Sequence, residues 1–411
     1  MPVLHKAMWP HPERRRAPWC AAAPAPVLVL VLLLALLAGC ASNPLENNLA
    51  QVRPLLHDEL FPSAGNEPIA AGQVFALNAA MQRFADTEIA AVRGHKDGRR
   101  ALMDALEARG QLRLDYDDGV TRTAAQAFEA RAGNCLSLVI MTAAFAKYLD
   151  MPVRYQSVQV REQYSRSNEL TLASGHINVV LSRGASSYLR DQPFASEMTV
   201  DFVPPESLRG TNVRVLSENT VLAMFMNNRA VETLTGGRPA AAYAWARETL
   251  RQDPAYLPGI NTLAVVYLRN GRLLQAEAAL RHVLARAPDD DAALTNLIVT
   301  LTRAGRSAEA EAVSRHLADV QPYPPFYFLD LGREALVAGD AKRARDLIAR
   351  ELRRQPYQHE SHFWAAVADA TLGDQRSAEK HMRQAIEHSG TPAEQARYSA
   401  KLAALRALPL P

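Results

Sequence analysis

Cys135 is the side chain of this sequence with the clearest capacity for chemistry. It stands in the stretch RAGNCLSLV, residues 131–139, between a Gly-Asn pair and an apolar run of helical composition. Asn134 is suited to cap the start of that helix, which would place Cys135 in the first turn. The free N–H groups and the positive dipole end at a helix start favour an anion, and hence the reactive thiolate form of a cysteine. Cys135 is therefore a candidate nucleophile, and the alternative is a small buried side chain that only fills space.

A histidine and an aspartate follow Cys135 on segments with the composition of strands. The predicted helix ends before MPVRYQSVQV, residues 151–160, which is rich in strand-forming side chains. The alternating run GHINVVL contains His176, and the run EMTVDFV contains Asp201. The chain thus presents Cys, His and Asp in that order, on a helix start and on two later strands. The alternatives are a hydrogen-bonded core histidine and an aspartate that caps a turn.

The elements before the cysteine are predicted to be helical. A helix that begins with the capping-box pattern of Thr123 and Gln126 is expected to end near Gly133. Between Pro44 and about Gly110, three segments carry apolar residues at intervals of three and four, which predicts about three helices. These segments are QVRPLLHDELF, GQVFALNAAMQRFADTEIAAV and RRALMDALEARG.

The GNC turn, the MPVRY and GHINV strands and the VDF segment together resemble the transglutaminase-like superfamily over residues 121–202. That family has a papain-like α+β core, and the resemblance implies that Cys135 is the nucleophile. His176 would be the base that takes the thiol proton and later protonates the leaving group, and Asp201 would orient the imidazole. Better-known members often have an aromatic residue directly after the His pair, where this chain has Asn178-Val179. The backbone N–H of Cys135 is a candidate oxyanion donor, and no second donor is identified.

The activity implied by this resemblance is acyl transfer at an amide or peptide bond through a thiolate acyl-enzyme. Release of the acyl group by water, as in a peptidase or amidase, is favoured over cross-linking because the sequence reveals no site for an amine. The alternative is a non-catalytic scaffold or binding lipoprotein with an inactive transglutaminase-like fold. A metal site formed by Cys135, His176 and Asp201 would lack a fourth ligand and any paired spacing, so we predict no metal and no cofactor.

The second half of the sequence repeats with a constant period of about 34 residues. In each repeat a glycine permits the tight turn between two short antiparallel helices, an alanine lets the second helix approach the first, and a proline ends the second helix. The pattern resembles five tetratricopeptide repeats over residues 223–392 and predicts an all-α solenoid. The residues in register are Gly237, Gly271, Gly305, Gly339 and Gly373; Ala242, Ala276, Ala310, Ala344 and Ala378; and Pro254, Pro288, Pro322 and Pro356.

A solenoid of this kind presents a groove, and we predict that it binds a protein or peptide partner. The fifth position of the first helix is Asn227 in the first repeat and Asn261 in the second, and such amides can pair with a peptide backbone. Arg269 and Arg303 stand two residues before turn glycines on the same set of helices. The alternative is that all four are ordinary polar surface residues.

Four histidines fall close together near the end of the repeats. A metal site there would need cysteine or carboxylate ligands at helical spacing, so we interpret these histidines as scattered surface residues. They are His359, His362, His381 and His388.

The start of the chain, 1–39, has the layout of a signal peptide, with a basic stretch followed by an apolar block, Val27 to Leu37. The block ends in LAGC, which resembles the lipobox of a bacterial lipoprotein and implies that Cys40 is acylated and anchors the chain in a membrane. Ala41 after the cysteine resembles lipoproteins sent to the outer membrane, so we expect a lipid-anchored protein that faces the periplasm. The alternative is a true N-terminal anchor helix, for which the apolar block is short. Met8 is an alternative start of the chain.

The 411-residue chain carries 46 basic and 43 acidic residues. Four of the basic residues and one acidic residue precede Cys40, so the remainder is balanced in charge and nucleic-acid binding is not predicted. Cys135 is the only other cysteine after the leader, so no internal disulfide is expected.

The predicted organisation is a lipoprotein signal peptide at 1–39, an N-terminal helical region at 40–118, a transglutaminase-like cysteine domain at 119–216, five tetratricopeptide repeats at 223–392 and a C-terminal tail at 393–411.

Overall fold

A computed structural model describes most of the chain after the predicted leader. The leader, residues 1–39, and the predicted lipidation site Cys40 lie outside the described residues. All described residues belong to one compact unit. Within them, every helix is too short or too polar to pass through a lipid bilayer. The described ranges are 49–62, 70–92, 97–107, 115–116, 120–167, 170–182, 197–202, 212–389 and 392–407.

The region before the cysteine consists of short helical pieces. The prediction of a continuous helix over GQVFALNAAMQRFADTEIAAV is wrong, because the Asn78 side chain accepts a hydrogen bond from the Met81 N–H at 2.9 Å and starts a new helix there. The first predicted segment is helical only at its start, where residues 49–52 form an α-helical turn, and it continues as two 3₁₀ turns. The third segment forms a helix as predicted. The pieces are the α-helical turn at 49–52, the 3₁₀ turns Arg53–Leu55 and Asp58–Leu60, α1 (Ala71–Val74), α2 (Ala79–Phe84) with its π and 3₁₀ extensions Ala85–Ile89 and Ala90–Val92, and α3 (Gly98–Glu107).

The next helix, α4 (Ala124–Ala130), begins with the predicted capping box, which is confirmed. The Thr123 N–H donates to the Gln126 side chain at 3.0 Å, and the Gln126 N–H donates to the Thr123 hydroxyl at 3.3 Å. The helix ends earlier than the predicted Gly133 because Arg131 adopts a left-handed conformation, with φ of 52°. Two short strands, β1 (Asp115–Tyr116) and β2 (Ala132–Gly133), then pair in parallel.

The helix predicted to start at Cys135 is α5 (Cys135–Tyr148), and it is the central helix of the cysteine half. Its side chains are buried without interruption from Leu136 to Ala146. A helix that is buried all round lies within the core rather than on its surface. The start of α5 is therefore held in place by packing along most of the helix length.

Four antiparallel strands of the described residues form a sheet beside α5, and they are β3 (Val153–Ser167), β4 (Leu170–Ser182), β5 (Glu197–Val200) and β6 (Asn212–Leu216). Their order in the sheet is β5-β4-β3-β6. Ile177, Val179 and Leu181 of β4 belong to the core that also contains α5, whereas His176 and Asn178 alternate with them along the strand. The three predicted strands are confirmed, and β6 is an additional strand that the sequence analysis does not predict.

Five helix pairs follow the sheet and confirm the predicted repeats. The five glycines in register have φ values between 68° and 82°, a conformation that favours glycine and turns the chain between the two helices of a pair. Helix pairs that recur at this constant period are the architecture of tetratricopeptide repeats. The pairs are α6 (Glu218–Thr235) with α7 (Pro239–Gln252), α8 (Leu257–Arg269) with α9 (Leu273–Leu284), α10 (Asp291–Arg303) with α11 (Ser307–Val320), α12 (Tyr327–Val337) with α13 (Ala341–Arg354), and α14 (His359–Thr371) with α15 (Gln375–Glu387).

The residues predicted as a C-terminal tail contain one more helix, α16 (Pro392–Arg406). Tyr398 and Leu402 on α16 are buried in a cluster with Met382 of the last helix pair. The helix therefore covers an apolar surface that a repeat at the end of an array would otherwise expose.

One hydrophobic core joins the cysteine half to the first three helix pairs. The same cluster of buried side chains contains Val52, helix α5, the sheet and residues as far as Ala310. The N-terminal segment adds to it, because the ring of Phe61 stacks on Tyr243 of α7 with centroids 4.3 Å apart. No break in packing in this described part of the chain marks the predicted boundary between residues 216 and 223.

Candidate active site

Local contacts place Cys135 at the first position of α5. The Asn134 side-chain oxygen accepts a hydrogen bond from the Ser137 N–H at 2.9 Å, so Asn134 caps the helix as predicted. The Ser137 hydroxyl donates to the same oxygen at 2.7 Å. Gly133 is needed in this turn, because a Cβ atom there would lie 2.7 Å from the Ser137 Cβ. The Gly-Asn pair before Cys135 is thus explained by the helix cap and by the close approach of Gly133 to the Ser137 side chain.

The structure brings together the three residues of the predicted triad. Cys135 Sγ lies 3.3 Å from His176 Nδ1, and His176 Nε2 lies 2.7 Å from Asp201 Oδ1. Sγ also lies 3.0 Å from the carbonyl oxygen of Ile177. Because Nε2 faces a carboxylate, it carries a proton in either protonation state of the ring. Nδ1 is therefore the nitrogen that can exchange a proton with the thiol.

Asn178 completes this arrangement from the same face of β4 as His176. Its side-chain Nδ2 donates to Asp201 Oδ2 at 3.1 Å, so both oxygens of the carboxylate are held. Asp201 directly follows Val200, which pairs with Val179, and this register brings the carboxylate next to Asn178. In the sequence, Asn178 stands out only as a departure from the family pattern. The alternation of a strand supplies the missing signal, because residues two apart share a face.

The environment of His176 favours the protonated ring. Its side chain is only 7% exposed, and burial by itself would lower the pKa. The hydrogen bonds and negative charges of Asp201 and Cys135 have the opposite effect and raise the pKa from 6.5 to about 10. Asp201 and Cys135 therefore favour a protonated imidazole beside Sγ at neutral pH.

The site offers one identifiable hydrogen-bond donor for the oxyanion that forms when a substrate carbonyl is attacked. Cys135 is the first residue of α5, and the N–H groups of a first helical turn have no partner within the helix. The Cys135 N–H can therefore donate to a developing oxyanion. The described residues do not identify a second donor.

The four predicted partner-binding residues differ in their surroundings. Asn227 is only 9% exposed, and its side-chain oxygen has no hydrogen-bond partner in the described part of the chain. The Asn261 side-chain oxygen accepts a hydrogen bond from Asn296 of the next repeat at 3.0 Å. Arg269 and Arg303 are exposed at the ends of their helices. Their role in binding stays a prediction.

The interpretation of the late histidines as scattered surface residues is wrong. His362 is only 4% exposed, and its Nδ1 lies 3.1 Å from Nδ1 of His381, because the two helices of the last pair face each other there. His362 Nε2 lies 2.8 Å from the carbonyl oxygen of Pro356. His388 adds a third ring, 5.5 Å from that of His362. Within the described ranges, no three histidine, cysteine, aspartate or glutamate residues are arranged to hold a metal ion.

No family model matches this chain, and no curated protein matches it. Solved structures that are similar to it include a tetratricopeptide-repeat protein of Thermus thermophilus, at 17% identity over 45% of this chain and 100% of that chain, with a TM-score of 0.28. PilF of Pseudomonas aeruginosa is 19% identical over 45% of this chain and 84% of that chain, with a TM-score of 0.27.

A third similar structure is a tetratricopeptide-repeat protein of Parabacteroides merdae, 14% identical over 45% of this chain and 73% of that chain, with a TM-score of 0.24. Each of these likenesses covers less than half of the present chain. The helix pairs and their constant period identify the repeats independently of them. These comparisons do not test the resemblance of the cysteine half to the transglutaminase-like superfamily, which stays a prediction.

Proposed function

We propose that this protein is a cysteine acyl-transfer enzyme of transglutaminase-like type that acts on an amide or peptide bond. The observation that carries the proposal is the unbroken series of contacts from Cys135 Sγ to His176 and from His176 to Asp201, at 3.3 Å and 2.7 Å. A buried thiol that only fills space needs neither a cationic imidazole beside it nor a carboxylate behind that imidazole. Hydrolysis is the favoured outcome, because water is the acceptor that any open site receives.

In the proposed reaction, the Cys135 thiolate attacks the carbonyl carbon of the substrate and forms a C–S bond. The carbonyl oxygen becomes an oxyanion that the Cys135 N–H stabilises. His176 then gives its Nδ1 proton to the leaving nitrogen, the C–N bond breaks, and a thioester remains on Cys135. Water loses a proton to Nδ1 as it attacks the thioester, which releases a carboxylic acid and returns the thiolate and the imidazolium.

Asp201 and Asn178 have supporting roles in this scheme. The Asp201 carboxylate fixes the ring of His176 through Nε2 and stabilises its positive charge. Asn178 holds the other carboxylate oxygen at 3.1 Å, which keeps Oδ1 directed at the ring. The aromatic residue that better-known members carry near this position is thus replaced by an amide that orients the acid.

The repeats support a second part of the proposal, which is binding of a protein or peptide partner. Helical repeat arrays present extended surfaces to partners. A non-catalytic scaffold is the alternative function, and it accounts for the repeats without using the triad. The LAGC sequence before residue 41 supports an outer-membrane lipoprotein that faces the periplasm, with Cys40 as the acylated residue.

The test is the rate at which iodoacetamide alkylates Cys135 in the mature full-length protein at pH 6, with the modified residue mapped by mass spectrometry. We expect wild-type Cys135 to react quickly at this pH and His176→Ala to react at least about tenfold more slowly, since it loses the base that takes the thiol proton. Cys135→Ala shows that no other residue is labelled. Equal rates for wild type and His176→Ala would reject the catalytic proposal in favour of the scaffold.

A further inference from the structure

The first repeat helix contacts the segment that carries the candidate nucleophile. Glu232, near the end of α6, accepts a hydrogen bond from the Thr121 N–H at 2.7 Å. Asn228, one turn earlier on α6, donates from Nδ2 to the Thr121 hydroxyl at 3.2 Å. Thr121 is only 1% exposed, so these bonds form where little water competes for them.

Thr121 in turn holds the residue that caps α5. The Asn134 Nδ2 donates to the Thr121 hydroxyl at 2.8 Å, while the Asn134 oxygen accepts from the Ser137 N–H. The amide of Asn134 is thus fixed at both ends, by Thr121 and by the first turn of α5. Cys135 is the next residue in the chain, so the orientation of this amide sets the position of the turn that carries Sγ.

The partner groups of Thr121 are anchored within the first repeat. The Arg229 side chain pairs with the second carboxylate oxygen of Glu232 at 2.7 Å. The Arg229 guanidinium also lies over the ring of Trp245 on α7, 5.5 Å from its centroid. A displacement of either helix of the first pair would therefore move the groups that hold Thr121.

We infer that Glu232 and Asn228 of the first repeat are positioning residues for Cys135, so that the repeat array regulates the reactivity of the cysteine site. This inference rests on the proposed function. The connection consists of four named side chains, which run from α6 through Thr121 and Asn134 to the first turn of α5. Chemistry and partner binding are then coupled through the first repeat, rather than assigned to two independent domains.

The experiment measures alkylation of Cys135 by iodoacetamide in the mature full-length protein across pH 5 to 9. Glu232→Ala leaves the Thr121 N–H without its acceptor, and we expect alkylation to slow roughly two- to tenfold, the change that corresponds to one hydrogen bond. Glu232→Gln keeps an oxygen that can accept from Thr121, so it should restore most of the rate. Asn228→Ala provides a second variant that leaves the Glu232 carboxylate intact.

A double substitution tests whether the effect passes through the cap. If Glu232 acts through Asn134, the variant Asn134→Ala/Glu232→Ala should react about as slowly as Asn134→Ala alone, because residues in one network are not additive. Thr235→Ala is the matched control on α6, since the Thr235 hydroxyl donates only to the Val231 carbonyl of its own helix. It should keep the wild-type rate.

The outcomes separate this inference from the proposed function. If His176→Ala slows alkylation while Glu232→Ala and Asn228→Ala both react at the wild-type rate, the positioning role is wrong and the proposed function stands. Additive losses in the double substitution would also overturn the connection through Asn134. If His176→Ala reacts as fast as wild type, the proposed function fails and this inference fails with it.

Discussion

Substitution of Asp201 by asparagine should make the protein less stable at pH 6 and have much less effect at pH 10. The cause is the ion pair between the carboxylate and His176, whose atoms lie 2.7 Å apart with side chains only 7% and 11% exposed. Asparagine keeps the shape of the side chain and removes its charge. The variant therefore isolates the electrostatic part of the contact.

The magnitude follows from the pKa of His176, which Asp201 and Cys135 raise from 6.5 to about 10 against the effect of burial. One pKa unit corresponds to about 1.4 kcal/mol, so the protonated ring stabilises the folded state by at most about 5 kcal/mol. The hydrogen bond to Asp201 contributes most to the rise, so loss of the carboxylate should remove a large part of this stabilisation, on the order of a few kcal/mol. Because the folded-state pKa is the higher one, the contribution is fully present below pH 6.5 and is lost as the pH rises to about 10.

The assay is thermal unfolding of wild type and Asp201→Asn at pH 6 and at pH 10. We expect a lower melting temperature for the variant at pH 6 and nearly equal melting temperatures at pH 10. Glu197→Gln is the matched control, since it removes an exposed carboxylate at the start of β5, the strand that Asp201 directly follows, where it pairs with Arg154. A deficit for Asp201→Asn that is equally large at both pH values would show that the imidazolium is not its source.

Three further predictions concern the cysteine turn, the late histidines and the anchor. Gly133→Ala should slow alkylation of Cys135 and lower the melting temperature, since the added methyl would lie 2.7 Å from the Ser137 Cβ; a wild-type rate would contradict this. Burial and the neighbouring histidines lower the pKa of His362 to about 4, so its contribution to stability is present above pH 6.5 and lost as the pH falls toward 4. His362→Gln should therefore reduce the drop in melting temperature between pH 7 and pH 4.5, and an unchanged drop would refute it. Cys40→Ser should leave unprocessed precursor and move the protein out of the outer-membrane fraction, and unchanged fractionation would rule out the lipobox.

The features that the sequence predicts correctly depend on neighbours close in the chain. The turn glycines are recognisable because a left-handed conformation favours glycine at each repeat, whatever lies around it. The caps at Thr123 and Asn134 are recognisable because each bonds to a residue three positions later. Cys135, His176 and Asp201 could be proposed together only because their order resembles a family. The lengths of chain that separate these three residues carry no geometric information by themselves.

The features that the sequence does not predict depend on contacts between distant segments. From the sequence, Glu232 is expected to be an ordinary surface residue of a helix. In the structure its side chain accepts a hydrogen bond from the N–H of Thr121, which lies far earlier in the chain. The sequence around the late histidines is typical of surface residues. His362 and His381 lie on two helices that are joined by a turn, and the relative orientation of those helices decides which side chains meet. Strand β6 is short and pairs with β3, so tertiary contact rather than local composition decides its existence.

The shared core decides how chemistry and binding can be separated in this protein. A cut near Leu216 would remove α6, and with it the acceptor of the Thr121 N–H, the Asn228 donor and the Glu218 carboxylate that accepts from the Tyr155 hydroxyl at 3.2 Å. The remaining cysteine half would expose the apolar side chains that now pack against Val221 and Phe225 of that helix. Loss of activity in such a fragment would therefore reflect lost packing as much as lost partner binding. Point substitutions on the repeats that leave α6 intact distinguish the two causes, because they change the binding surface without uncovering the core beneath Cys135.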